Sequence, residues 1–161
     1  MNDNRSRRNE RGLNLIEVLI ALALLAMVLL GISTLFIRGG KSVASGRQLT
    51  EASSVGARIM EDLNRLSFDS LYTSMGATST STSASGDTRT TAYATKWQAQ
   101  IDQMLSTPTY QAFALIQETP LGGSVTPPTF ASAKAIRVLA TVQWREGSSR
   151  VRTASFETVR F

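Results

Sequence analysis

Between Val18 and Ile37 the chain runs for twenty residues without a charge, and no other feature limits its folding so strongly. As a helix this stretch would extend ~30 Å, about the thickness of a bilayer's hydrocarbon core. Only Gly31, Ser33 and Thr34 interrupt the Leu, Ala, Ile, Val, Met and Phe of the run. Arg5, Arg7, Arg8 and Arg11 precede it against Asp3 and Glu10, a net of +2, while Arg38 and Lys41 follow it. That asymmetry assigns the N-terminal side to the cytoplasm and the remainder to the far side of the membrane. A removable signal peptide of the ordinary kind ends its apolar part after ~7–15 residues and then offers small residues for cleavage. Here the run is longer and "FIRGGKS" is a poor cleavage site, so a retained single-pass anchor is expected.

Composition removes several function classes. The 161 residues include no cysteine and no histidine, which excludes a disulfide framework, Cys or His nucleophiles and the usual zinc and haem ligands. No motif arranges the available carboxylates, Lys, Ser or Tyr for catalysis, so the chain is expected to be neither an enzyme nor a cofactor or metal carrier. The net charge is +5, and the residues after Gly12 keep +3 of it (5 − 2), a weak argument for nucleic acid.

Glu17 stands at the mouth of the apolar run, five residues after Gly12. A short basic leader ending in glycine, then "LNLIEVLIALALLAMVLLG", resembles the type IV pilin and pseudopilin superfamily. The resemblance implies that residues 1–12 are a prepilin leader, cut between Gly12 and Leu13 by a prepilin peptidase that N-methylates Leu13. It implies a membrane and assembly helix over 13–38, with Glu17 as the register residue. Leu13 departs from the commonest phenylalanine but is likewise apolar and unbranched at Cβ. Cleavage would expose an α-amino group beside apolar neighbours. An unpaired charge there costs ~2.5–3.5 kcal/mol on the lenient scale. Glu17 of one subunit would neutralise the amine of the next at one axial stagger only.

Beyond the run, Gly39-Gly40 is a candidate kink, since glycine weakens a helix by ~1 kcal/mol relative to alanine. Leu49, Ala52, Gly56, Ile59, Leu63 and Leu66 then recur at intervals of three and four, predicting an amphipathic continuation over 39–66. Arg47 with Glu51, Arg58 with Asp62 and Glu61 with Arg65 have i,i+4 spacing. Residues 73–95 are dominated by Ser, Thr, Ala and Gly, and are expected to form a flexible surface loop. "KWQAQIDQML" reads as a short amphipathic helix with Trp97, Ile101 and Leu105 at spacing four. "YQAFALIQE" reads as a strand closed by the "TPLGGSVTPP" turn region. Ile136, Val138, Ala140, Val142 and Trp144 alternate cleanly, and "RVRTASFETVRF" returns as the last strand, with a bulge expected between Val151 and Phe156.

The expected fold is therefore α+β: a long helical spine, half membrane and half amphipathic, packed on a small antiparallel sheet within 110–161, in a pilin-like globular domain over 39–161. The Trp-bearing helix and the final hairpin also resemble PilV-type minor pilins and a minor pseudopilin of type II secretion. The function implied is a minor pilin that primes, caps or modifies a type IV pilus; the alternatives are a secretion pseudopilin and a DNA-binding pilin for uptake. The implied partners are major and minor pilin subunits, the prepilin peptidase, the inner-membrane assembly platform and, before assembly, the lipid bilayer. For nucleic acid the candidate contacts are Arg150, Arg152 and Arg160, which share parity on the last strand; charge that discourages edge pairing is the competing account of them.

Overall fold

The computed structural model describes residues 15–147 and 150–161. Helix α1 spans Leu15–Asn64, and the chain forms two compact units, Met1–Val43 and Ala44–Phe161. In the first unit α1 stays helical through Gly31, Gly39 and Gly40, so the candidate kink does not interrupt it. Large apolar side chains are exposed from Leu15 to Ile37.

In the second unit, α1 buries Ala52, Val55, Gly56, Ile59, Met60 and Leu63. That stripe is broader than the one read from spacing, and it gains Val55 and Met60, as a helix lying flat on a sheet requires. Leu49 is not part of it: the side chain is exposed, because burial on α1 starts at Ala52. Leu66, just beyond the helix, packs partly buried against the core. Helix α2 follows at Phe68–Ser74, with the Ser67 hydroxyl accepting from the Ser70 N–H as its N-cap.

Strands β1 (Ala84–Asp87), β2 (Phe113–Leu121), β3 (Ala135–Glu146) and β4 (Arg150–Arg160) form one antiparallel sheet in the order β1-β2-β3-β4. Helix α3 (Thr95–Leu105) lies between β1 and β2 in sequence and buries Trp97, Ile101 and Leu105, as its spacing predicts. On β3 the alternating set Ile136, Val138, Ala140, Val142 and Trp144 is buried. The same face of β4 presents Phe156, whose ring lies on Gly56 of α1, so close that a Cβ there would overlap it. The even-numbered residues of β2, β3 and β4 therefore point toward α1.

Three expectations need correction. The Ser/Thr-rich segment is not simply a surface loop: it supplies β1, and Met75, Ala84, Thr88 and Ala94 are buried. A partner strand's register can recruit "ASGD" although no residue in it favours strand. The bulge expected on β4 is absent, since pairing with β3 runs unbroken from Ile136–Arg160 to Glu146–Arg150. The alternation looked broken because Val151 and Val159 are left exposed while Arg152 turns to the inner face. Strand β2 also continues through Pro120 into the expected turn region. Ala114 accepts from the Thr88 N–H, so the even residues of β2 direct their backbone groups toward β1. Pro120, beyond the last pair Ala84–Glu118, has no partner there to whom its missing N–H would matter.

Candidate assembly helix and the basic strand

Glu17 occupies the first turn of α1, where the unpaired N–H groups of a helix favour negative charge. Its side chain is exposed, as are its apolar neighbours Ile16, Val18 and Ile20. Gly12 and Leu13, the residues of the expected cleavage, lie outside the described residues. From Val18 onward α1 is a charge-free surface of Leu, Ile, Val, Met and Phe; its most apolar window has a mean hydropathy of 2.9. The polar side chains in the run satisfy themselves. Ser33 donates to the Leu29 carbonyl at 2.8 Å, and Thr34 donates to the carbonyls of Leu30 and Gly31, both at 2.8 Å. No hydroxyl in that stretch is then left to be desolvated without a partner, which is the condition for residing in lipid or among apolar helices. By length and composition α1 can cross a membrane.

In the second unit a half-buried bond ties α3 to α1, and exposed pairs run along α1. Trp97 donates its indole N–H to Asp62 Oδ2 at 2.8 Å, and Lys96 Nζ lies 3.7 Å from the same oxygen. Arg47–Glu51 and Glu61–Arg65 form at 2.7 and 2.5 Å. Arg58 instead donates to Gln100 Oε1 at 3.2 Å, leaving Asp62 to α3; the expected Arg58–Asp62 pair gives way because the carboxylate meets two donors from α3.

The three arginines of β4 do share a face, and it is the face toward α1. Arg152 donates to Glu146 Oε2 at 2.6 Å. Arg160 donates to the carbonyls of Asn64 and Leu66, closing the C-terminus of α1. Arg150 pairs across the ladder with Glu146 and is exposed. Hydrogen bonds from the Ser45 hydroxyl and then Arg152 hold the Glu146 carboxyl below its ordinary range. Two of the candidate phosphate contacts are thus engaged within the domain.

Residues 7–33 match the family model described as a prokaryotic N-terminal methylation motif. No curated protein and no solved structure matches the chain. The matched stretch covers Gly12, Leu13 and Glu17 and most of the apolar run, through Ser33. With the long helix and four-stranded antiparallel sheet, the layout is α+β and pilin-like. The motif supports a type IV pilin-like or pseudopilin protein, and so implies processing by a prepilin peptidase and assembly with other pilin subunits. The apolar helix fits membrane anchoring.

Proposed function

We propose that the chain is a minor pilin of a type IV pilus: a low-copy structural subunit, catalysing no reaction, that primes, caps or modifies the fibre after its leader is removed. The observation that carries this reading is Glu17 in the first turn of an uninterrupted, exposed apolar helix, directly within the methylation motif. Before assembly the helix is held in the inner membrane with its N-terminus cytoplasmic and the Ala44–Phe161 unit on the periplasmic side. On joining a fibre, Glu17 neutralises a neighbour's methylated α-amine. Losing one partner of such a buried pair costs ~3–5 kcal/mol, enough to select a single stagger.

The size of the Ala44–Phe161 unit, with its four strands and exposed Ser/Thr positions at 78–80, favours a pilus subunit over a secretion pseudopilin. DNA uptake has less support, since Arg152 and Arg160 are bonded within the domain. Mass spectrometry of sheared surface fibres tests the proposal. It should find a chain beginning at Leu13, N-methylated, at a small ratio to the main subunit. Recovery of that chain only with a secretion apparatus would replace the pilus by the pseudopilin reading.

A further inference from the structure

Glu118 is wholly buried, and neither carboxyl oxygen has a hydrogen-bond partner among the described residues. It stands in a cross-sheet row of Ala84, Glu118, Val138 and Thr158, on the face covered by α1, and no other member of that row titrates. The titratable groups on surrounding elements are occupied elsewhere. Asp87 on β1 binds Arg89, and Arg137 on β3 points to the opposite face near Glu157 at 3.8 Å. Arg160 on β4 holds the end of α1, Tyr72 on α2 donates to Asp69, and Lys134 lies over Gly122.

The cover over Glu118 on one side is slight. Strand β1 has four residues, against nine in β2 and twelve in β3, and Ala84 is its only apolar side chain. Its far end is pinned: Thr88 donates its N–H to the Ala114 carbonyl, while its hydroxyl accepts from the Ala114 N–H and donates to Gln98. The end beside Glu118 is tied by backbone bonds from Phe130 to Ser81 and from Ala131 to Ser79. A cavity of about 330 Å³ on the opposite face of the sheet, lined by Ser83, Ser85, Gln117, Thr119, Arg137 and Leu139, reaches the backbone of the Ala84–Glu118 pair from outside. Only the four-residue edge strand β1 flanks Glu118 on that side, and among the described residues no ion or donor stabilises its charge.

We propose that β1 and the Ser/Thr-rich segment around it form a latch on the sheet edge, gated by the protonation of Glu118: closed over the neutral acid, released by the carboxylate. Lifting β1 is the shortest route by which the charge reaches water, and it frees the β2 backbone groups at Ala114, Ile116 and Glu118. Burial pushes the Glu118 carboxyl up from 4.5 to about 7. A raised carboxyl favours the closed state fully below 4.5, and that advantage is lost as pH rises toward 7.

Hydrogen exchange on the full chain in detergent micelles, corrected for intrinsic rates, reads the latch. Protection of Ser85–Thr88, Ile116 and Glu118 should fall about tenfold per pH unit from about 4.5 to 7, about 300-fold in all, then level off. Amides of β3 and β4 that pair with each other should stay better protected than these at every pH, because they open only on global unfolding. Glu118→Gln and Glu118→Met should both give flat profiles, so that loss of folding in one leaves the other to decide. A flat wild-type profile, a pH slope retained in either variant, or protection of Ser85–Thr88 as strong as that of the β3–β4 pairs overturns the latch.

Discussion

At the head of an apolar helix a carboxylate is expensive to leave unpaired, by ~2.5–3.5 kcal/mol for an acid inside a bilayer. Exchanging Glu17 for alanine removes that cost together with the partner for a neighbour's amine. Glu17→Ala should therefore insert into the membrane at the wild-type level but fall at least tenfold in sheared fibres, measured by immunoblot of the two fractions. Gly56 carries a different constraint, because its missing side chain admits the Phe156 ring onto α1. Gly56→Val should lower stability by about 1–3 kcal/mol through overpacking, seen in denaturant titration, and Phe156→Leu in the same chain should recover part of the loss. Neither Phe156 as the partner of Gly56 nor the burial of Glu118 was visible in the sequence. Spacing puts Gly56 on the apolar stripe but does not say which side chain covers it, and nothing local distinguishes a buried glutamate from a solvated one.

Among the elements, α3 shows how a short amphipathic helix is anchored. Trp97 is 3% exposed and its indole N–H is bonded to Asp62. Trp97→Ala should cost about 3–5 kcal/mol and Trp97→Phe, which keeps most of the apolar area, about 1 kcal/mol; thermal melts would rank them. α3 and β3 were readable because their apolar residues recur at intervals of four and two on strongly patterned segments. The methylation motif was readable too, as a local arrangement of Gly12, Leu13 and Glu17. β1 was not. Its four residues, Ala84 to Asp87, contain neither a β-branched nor an aromatic side chain, and they become a strand only because β2 supplies a register. The bulge on β4 was inferred wrongly for a related reason. Alternation marks which face is apolar, whereas here an arginine bonded to Glu146 occupies the inner face and valines occupy the outer one.

For the molecule as a whole, two carboxyl groups pull the pH dependence in opposite directions. Arg89's hydrogen bond to Asp87 holds that carboxyl below its ordinary 3.8. Its stabilisation is present above 3.8 and is lost as pH falls through the lowered value. Glu118, raised to about 7, contributes fully below 4.5 and withdraws about 3 kcal/mol by the time pH exceeds 7. The melting temperature of the full chain in detergent should then peak near pH ~4 and decline toward 7.5, with the alkaline decline abolished by Glu118→Gln. A last consequence follows from the hydroxyls of Ser33 and Thr34, folded back on their own backbone. They leave the stretch from Val18 to Ile37 slippery along its length, with no lateral polar grip for a companion rod. Whatever stops one such rod gliding past another must be supplied by bumps and hollows of hydrocarbon, and by the lone acid notch at its tip.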